Sequence, residues 1–334
     1  MSDINITRKA AADFAAEVLA PVSFIPEKTA EYTYEAVEEM AAKGFLKVAD
    51  LKEAAAIVEE FAKQNASMAE VTAVASATDS VLSAYGIEAE GMTGYAVYED
   101  GVSCGGVIAV EKDGVYNITG KKIAAALGGA ADQYIVIATL GDAPAAFLVK
   151  AYDVRAEKFD KLGLRSYPTA DIIMEDAPAV LITAEGAKLR SELAAVIDIL
   201  NCFAAAGLAD ACEKASVEYA KTRVQFGMPI ANQSAVRYML AEIAIAKYNI
   251  LAVAEKALAC AADGKPYILE ACAAKKLAEN AVYNAANNAL QVHGGTGYMR
   301  DCPIERYYRD AKTLFTYTEK SEYPEEPIIE DLLK

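Results

Sequence analysis

The sequence predicts an α+β multidomain fold, with an N-terminal helical domain (1–90), a middle antiparallel β-domain (91–185) and a C-terminal four-helix bundle (186–334). Three observations support this division. Apolar residues recur at helical spacing in the first block, short β-rich runs separated by turn residues follow, and long alanine-rich apolar stripes occupy the remainder. Strands and helices that come in separate blocks are typical of α+β folds rather than of alternating α/β folds.

The first block is predicted to be helical because its apolar residues stand at helix-like spacing within alanine- and glutamate-rich segments. Pro21 and Pro26 separate the first helix from the second, since a proline inside a helix removes a hydrogen bond and clashes with the preceding turn. The residues that mark the apolar positions are Leu19, Phe24, Val37, Met40, Phe45, Leu51, Ile57 and Phe61.

The middle block has the pattern of an antiparallel sheet or barrel. Turn segments such as Glu99–Gly101, Lys112–Gly114 and Gly141–Asp142 separate its β-rich runs, which are not arranged as βαβ units. No G-x-G-x-x-G segment follows a strand, which argues against a Rossmann-type nucleotide site. The predicted strands are Gly94–Tyr98, Gly106–Val110, Val115–Ile118, Gln133–Thr139, Ala145–Val149 and Asp171–Met174.

The C-terminal block contains three long apolar stripes. The first two begin near Leu189 and Val236, and the third spans Ile268–Leu290. The turn Asp263–Pro266 separates the second helix from the third, and Pro303 marks the start of a fourth. The many alanines on these stripes favour close antiparallel helix packing.

The amino-acid composition argues against several kinds of binding partner. The 334 residues include 48 acidic and 32 basic side chains, which give a formal net charge of −16 and argue against nucleic acid or an anionic membrane surface as a partner. The six cysteines show no CxxC spacing and only one histidine is present, which argues against a zinc site. Free cysteines, no signal-peptide pattern and no long uncharged apolar run together indicate a cytoplasmic protein without a membrane span.

Two motifs in the C-terminal block give the strongest functional indication. In R-x-x-F-G, Arg223 and Phe226 precede a glycine, and in Q-x-x-G-G, Gln291 precedes Gly294 and Gly295. Glycines expose backbone N–H groups and permit positive φ angles, so such a turn can hold a diphosphate. With these motifs, and with the order of helices, sheet and helix bundle, the chain resembles the acyl-CoA dehydrogenase family of flavoenzymes over nearly its whole length.

The resemblance implies FAD as a cofactor that is shared across a subunit interface of a tetramer. In the family, one subunit holds the flavin ring, and its neighbour contributes these two motifs to the adenosine and pyrophosphate half. The expected cofactor-binding residues are therefore Arg223, Phe226, Gln291, Gly294 and Gly295. A guanidinium and bare amides are groups that neutralise a diphosphate, and an aromatic ring packs beside it.

The residues that hold the flavin ring in the family are altered in this chain. Tyr98 replaces the threonine of the family's Y-x-V-T-E-P motif, and Cys104 replaces a serine that follows it. The family's G-x-K-x-W-I-T-N-G-G motif matches Gly120–Gly129, in which Ala124 and Ala126 replace the tryptophan and threonine that cover the ring. A large aromatic side chain contributes roughly 150–250 Å² of contact, so its loss leaves little wall for a flavin.

The family's catalytic base is also replaced. The glutamate that abstracts the α-proton follows a tyrosine that matches Tyr317, and Thr318 stands in its place. Threonine cannot act as a base at neutral pH, and Glu319, one residue later, is a weak candidate for a relocated base. Some members place the base before an arginine on an earlier helix, and those two positions match Ile197 and Asp198.

The loss is one-sided, because groups that would serve a neighbour's FAD are kept and groups that would serve this subunit's own flavin and chemistry are gone. We therefore predict a subunit of an FAD-dependent acyl-CoA dehydrogenase or enoyl-CoA reductase complex. Two copies would pair with two copies of a catalytic paralogue, which would hold the flavin, the base and most of the acyl-CoA. The resemblance also implies an electron-transfer flavoprotein as the electron partner.

Two alternatives stay open. In the first, the chain is an active homo-oligomeric acyl-CoA dehydrogenase with Glu319 or another carboxylate as the base, and replacement of Glu319 by glutamine then lowers activity. In the second, the chain is a scaffold or binding protein without a flavin. Arg223 then pairs with a carboxylate, Phe226 belongs to the core and Gln291 caps a helix.

Overall fold

The computed structural model describes residues 3–99, 106–316 and 326–333. Four positions named for the predicted site, Cys104, Tyr317, Thr318 and Glu319, lie outside these ranges. Within them, a group of helices, a sheet and a second group of longer helices follow one another along the chain. The predicted α+β architecture is confirmed.

Two of the N-terminal helices begin where a side chain accepts hydrogen bonds from the first free backbone N–H groups. Asp50 accepts hydrogen bonds from the N–H groups of Lys52 and Glu53, and Asn65 accepts one from Met68. Both are residue types that cap helix N-termini well. The helices are α1 (Asp3–Phe14, continued by a π-helical turn at Ala15–Leu19), α2 (Ile25–Thr29), α3 (Tyr34–Ala42), α4 (Leu51–Ala62) and α5 (Ala66–Ala84).

The middle sheet has seven strands in the order β1-β3-β2-β4-β5-β7-β6, with further pairings of β1 with β4 and of β3 with β7. One strand, β6, is not among the predicted runs, because four of its five residues are exposed and it has no apolar alternation. The strands are β1 (Thr93–Ala96), β2 (Ile108–Lys112), β3 (Val115–Ala126), β4 (Gln133–Leu140), β5 (Ala143–Lys150), β6 (Val154–Lys158) and β7 (Thr169–Thr183).

The prediction of a purely antiparallel sheet is wrong for two strand pairs. Both β1 and β2 run parallel to β4, with Ala96 opposite Val136 and Ile108 opposite Thr139. The partners of β4 residues 136 and 139, which are three positions apart, are thus residues 96 and 108, which are twelve positions apart in sequence. Strands β1 and β2 are two halves of one interrupted strand along the same side of β4, which explains their shared direction.

The predicted C-terminal four-helix bundle is formed around α6. This helix packs against α4 and α5 on one side and against the later helices on the other, which explains why it is apolar all round. It is long and apolar enough to cross a bilayer by length and composition, but 94% of its most apolar window is buried inside the protein. The helices are α6 (Gly186–Thr222), α7 (Ser234–Ala262), α8 (Ile268–His293), α9 (Pro303–Thr313) and, after the bundle, α10 (Glu326–Leu332).

Gly207 sets the distance between α6 and α4. A Cβ atom at this position would overlap the main-chain oxygen of Glu59. Alanine is the better helix former by about 1 kcal/mol, but overlap with a backbone oxygen can be relieved only by moving a helix. We expect Gly207→Ala to lower the free energy of unfolding by about 1–3 kcal/mol, measured by urea denaturation. Glu218→Ala, at an exposed site of α6, is the control, and equal midpoints for the two variants would contradict the expectation.

Candidate cofactor-binding site

The R-x-x-F-G motif forms a tight hairpin directly after α6. Strands β8 (Val224–Gln225) and β9 (Met228–Pro229) pair across it. Phe226 (φ 55°) and Gly227 (φ 78°) both lie in the left-handed region, as a two-residue type I′ turn requires. The Phe226 side chain is 90% exposed. The alternative that made Phe226 a core residue is therefore wrong, and an aromatic ring stands at the surface on a rigid turn.

Arg223 lies at the start of this hairpin and has an exposed side chain. Its carbonyl accepts a hydrogen bond from the N–H of Ile230, at 2.9 Å, which closes the base of the hairpin. Among the residues that the structure describes, no carboxylate pairs with its guanidinium. All five guanidinium donors are consequently available to an anion from outside the chain.

The Q-x-x-G-G motif ends α8. Gly294 has φ 56° and ψ −139°, a combination that favours glycine, and its N–H donates to the carbonyl of Gln291. The helix is thus capped by the backbone of Gln291 and not by its side chain, which was the proposed alternative role. Gln291, Gly294 and Gly295 are all exposed, and a Cβ at either glycine would meet no other atom within 4 Å. The turn therefore leaves its backbone open to close approach by a ligand.

A small cluster separate from the main core connects the hairpin with the glycine turn. The rings of Tyr219 and His293 are stacked with centroids 4.4 Å apart. Next to them, Ala220, Ile230 and Val292 form a buried apolar group. These contacts fix the end of α6 against the end of α8, so both motifs lie at the same end of the bundle. Burial lowers the pKa of His293, which favours a neutral, structural imidazole.

The segment that matches the ring-covering motif forms the end of β3 and the turn after it. Ala126 lies opposite both Tyr95 and Thr169 in the sheet, and its side chain is only 4% exposed. Ala124 is partly exposed, and Tyr98 forms an isolated β-bridge beside the segment. Neither alanine offers an aromatic surface or a hydroxyl group to a flavin ring.

At the alternative base position on α6 the chain has a core residue, and the next position takes part in an ion pair. Ile197 is buried in the core, and the neighbouring Asp198 pairs with Lys275 of α8 at 3.2 Å. Both charged side chains are almost fully buried, and such charges are tolerated only when they are paired. The negative charge that replaces the family's arginine is thus matched by a positive charge on the adjacent helix.

Residues 194–330 match the family model described as "Acyl-CoA dehydrogenase, C-terminal domain". An acyl-CoA dehydrogenase of Bacillus subtilis (strain 168) is 30% identical over an alignment of 358 positions, which covers 93% of this chain and 92% of the relative. The chain belongs to the acyl-CoA dehydrogenase family.

Solved structures agree with this assignment over the full length. The butyryl-CoA dehydrogenase of Megasphaera elsdenii superposes with a TM-score of 0.93 at 25% identity, covering 100% of this chain and 99% of its own. A chain from a structural study of the electron-transferring flavoprotein of Acidaminococcus fermentans superposes with a TM-score of 0.91 at 26% identity, covering 100% of this chain and 98% of its own.

Acyl-CoA dehydrogenases bind FAD, and this chain suits one half of that cofactor. The diphosphate half is matched by an unpaired guanidinium at Arg223 and by the open glycine turn of α8, groups that bind phosphate oxygens well. The isoalloxazine half is not matched, because Ala124 and Ala126 provide neither a stacking ring nor a hydrogen-bonding side chain. In the structure, as in the sequence, the residues present therefore fit the diphosphate half of FAD and do not fit its isoalloxazine half.

One polar cluster was not predicted from the sequence. Glu70 of α5 is fully buried, and its Oε1 accepts a hydrogen bond of 3.4 Å from Asn201 Nδ2 of α6. The same amide nitrogen donates to the carbonyl of Leu314 at 3.2 Å. Within the described part of the chain, Glu70 Oε2 has no hydrogen-bond partner. The sequence did contain an indication, since Glu70 is the one charged residue between Asn65 and Thr78.

Proposed function

We propose that this chain is the non-catalytic subunit of a hetero-oligomeric, FAD-dependent acyl-CoA dehydrogenase or enoyl-CoA reductase. Two copies pair with two copies of a catalytic paralogue. The chain donates Arg223, Phe226, Gln291, Gly294 and Gly295 to the diphosphate and adenosine half of the partner's FAD. The observation that carries the proposal is the contrast between these exposed, ligand-ready groups and the ring-side positions, where alanines stand.

The exposed state of the donor groups supports a role in trans. A guanidinium without a partner among the described residues, a 90%-exposed phenylalanine and an open glycine turn all lie outside the core of this chain. Arg223 attracts phosphate oxygens, Phe226 offers an aromatic face, and the glycine N–H groups can donate to oxygen. Each group therefore gains its partner only when another molecule is bound at this end of the bundle.

The paralogue supplies the chemistry in this arrangement. Its carboxylate would remove the α-proton of an acyl-CoA thioester, and the bound FAD would supply the acceptor for the β-hydride. This chain contributes binding energy and orientation for the cofactor rather than a reacting group. An electron-transfer flavoprotein is the proposed electron partner, which is supported by the 26% identity to a chain from the Acidaminococcus fermentans study.

Replacement of Arg223 by alanine tests the donation of the diphosphate site. In the complex of this chain with its paralogue, we expect Arg223→Ala to weaken FAD binding about 10- to 100-fold, because a charge-assisted hydrogen bond contributes about 1.5–3 kcal/mol. The measurement is FAD titration of the apo complex, with native mass spectrometry to confirm two copies of each chain. Arg155→Ala, which removes an exposed arginine of β6, is the matched control and should leave FAD affinity unchanged.

Two results would contradict the proposed function. One is unaltered FAD affinity in the Arg223→Ala complex. The other is a purified sample of this chain alone that is a fully flavinated homo-oligomer with acyl-CoA dehydrogenase activity, since that protein would need no paralogue.

A further inference from the structure

The main-chain N–H groups of the segment that faces the flavin ring in the family are already engaged within this chain. Ala124 N–H donates to Asp171 Oδ1 at 3.0 Å, and Leu127 N–H donates to the phenol oxygen of Tyr167 at 3.2 Å. These are contacts over 47 and 40 positions of sequence, so they are formed by the tertiary fold and not by a local turn.

The N–H groups of the two glycines that end the segment also have acceptors in this chain, but these contacts are local. Gly129 N–H donates to the phenol oxygen of Tyr134 at 2.8 Å, and Gly128 N–H donates to the carbonyl of Ala125 at 3.2 Å. Four backbone donors between positions 124 and 129 therefore have acceptors that belong to this chain. A ligand that needed a hydrogen bond from any of these four N–H groups would first have to break the bond that the group already makes.

The backbone of the segment is bent to make these contacts. Ala124 has φ 51° and Leu127 has φ 56°, which are left-handed conformations that cost non-glycine residues about 1–2 kcal/mol each. The pairing of β3 with β7 shifts register between Lys122 and Ala125, so the strand bulges at Ala124. Asp171 lies on β7 opposite this bulge and accepts the N–H that the bulge leaves without a ladder partner.

The acceptor side chains are fixed in place. The rings of Tyr167 and Tyr134 are 2% and 1% exposed and rank among the largest fully buried side chains of the described residues. The Lys161 ammonium lies 4.8 Å from the centroid of the Tyr167 ring and also donates to the Tyr167 carbonyl at 2.5 Å. The ring that carries the acceptor for Leu127 is consequently fixed by its burial and by the Lys161 ammonium over its face.

We propose that Asp171 and Tyr167 close the site at residues 120–129 of this subunit, where the family binds the isoalloxazine ring (the isoalloxazine seat). They do so by accepting the hydrogen bonds of the backbone N–H groups of Ala124 and Leu127. This inference rests on the proposed function, because the number of FAD molecules that it predicts assumes a complex with a catalytic paralogue. A complex of two copies of each chain would then contain one FAD for every pair of unlike chains. The seat of this subunit is shut by its own residues rather than merely lacking the family's tryptophan and threonine.

Hydrogen exchange at single-amide resolution tests the closure. In the complex without flavin, we expect the N–H groups of Ala124 and Leu127 to be protected, and saturation with FAD should leave their exchange rates unchanged within twofold. Free exchange of these amides before FAD is added would overturn the inference. A large slowing of their exchange when FAD is added would do so as well.

A pair of tyrosine variants tests the assigned acceptor. Tyr167→Phe removes the oxygen that accepts from Leu127, so exchange at Leu127 should accelerate at least tenfold in the complex without flavin. Tyr152→Phe, at a tyrosine that is 82% exposed, is the control and should leave exchange at Leu127 unchanged. Unaltered exchange at Leu127 in Tyr167→Phe would remove Tyr167 from the inference.

The two proposals fail separately. If Arg223→Ala leaves FAD affinity unchanged, the donation to a paralogue is wrong, but the protected amides of this chain are unaffected. If FAD slows exchange at Ala124 and Leu127, the inference of a closed ring site is wrong, but this result does not contradict donation of the diphosphate site in trans.

Discussion

Replacement of Glu70 by glutamine is expected to stabilise the protein above pH 7 and to leave its stability nearly unchanged at pH 5. Burial raises the pKa of Glu70 from 4.5 to about 8, because a charged carboxylate loses its hydration inside the protein. The hydrogen bond from Asn201 and the nearby charge of Lys161 oppose this shift, whereas Asp198 of α6 reinforces it. The native protein therefore holds a neutral carboxylic acid at this position at neutral pH.

The sign of the effect follows from the raised pKa. Below about pH 4.5 the carboxyl is protonated in both the folded and the unfolded chain, so it does not oppose folding. Between about pH 4.5 and 8 the unfolded chain releases this proton while the native chain keeps it, and stability falls by up to about 1.4 kcal/mol per pH unit. Glutamine has nearly the same shape and does not ionise, so it removes this loss, which amounts to about 3–5 kcal/mol at pH 8.

Urea denaturation of both proteins from pH 5 to 8.5 measures the effect. The difference in unfolding free energy between Glu70→Gln and the unmodified protein should grow steadily with pH. Lys161, whose pKa burial lowers to about 7, interacts with Glu70, so the difference also contains the change that the substitution causes in the titration of Lys161. Glu38→Gln, at an exposed site on α3, is the control. A pH-independent difference for Glu70→Gln would show that Glu70 is not a buried neutral acid.

Patterns over short stretches of sequence predicted most of the fold. The turn residues between Lys112 and Gly114 correctly predicted the hairpin of β2 and β3, because such a turn is decided by three or four neighbouring residues. The parallel pairing of β1 and β2 with β4 could not be predicted in the same way. It depends on which neighbour β2 pairs with in the sheet, which no local preference encodes.

In the candidate site, too, local sequence patterns predicted some features, and only the structure shows the others. Motif spacing identified Arg223 and Gln291 as ligand-binding candidates, but the exposure of Phe226 was visible only in the structure, since phenylalanine is most often a core residue. The acceptors Asp171 and Tyr167 are distant in sequence from the amides that they bind. The substitutions at Ala124 and Ala126 indicated a weakened flavin seat, and only the three-dimensional contacts indicate a closed one.

Replacement of Glu27 by alanine is expected to cause the largest loss of stability from a single hydrogen-bonding side chain outside the candidate site. Glu27 belongs to α2 and is only 3% exposed. Its Oε2 accepts from the main-chain N–H groups of Arg165 and Ser166, at 2.8 and 3.3 Å, and its Oε1 accepts from Arg309 Nη1 at 2.8 Å. One carboxylate thus connects the N-terminal helices, the loop before β7 and helix α9.

The partners of the Glu27 carboxylate are held by other contacts, so they cannot rearrange when the carboxylate is removed. Arg309 is also held by both oxygens of Glu305, at 2.7 and 3.1 Å, and by the carbonyl of Leu162 at 2.8 Å. Arg165 is held by Asp160 at 2.7 Å. Alanine at position 27 would therefore remove one of the negative charges that the partly buried Arg309 guanidinium contacts. It would also leave the N–H groups of Arg165 and Ser166 without the acceptor oxygen of Glu27. The loss of one partner from a buried ionic contact costs about 3–5 kcal/mol.

Graded substitutions separate the charge from the hydrogen bonds. Glu27→Gln keeps one acceptor oxygen and loses the charge, so its free energy of unfolding should fall between those of the unmodified protein and Glu27→Ala. Glu31→Ala, at an exposed glutamate just after α2, should be within about 0.5 kcal/mol of the unmodified protein. If Glu27→Ala and Glu31→Ala unfold at the same urea concentration, the carboxylate does not join the three parts of the chain. If Glu27→Gln is as unstable as Glu27→Ala, the negative charge opposite Arg309, rather than the number of acceptors, accounts for the contact.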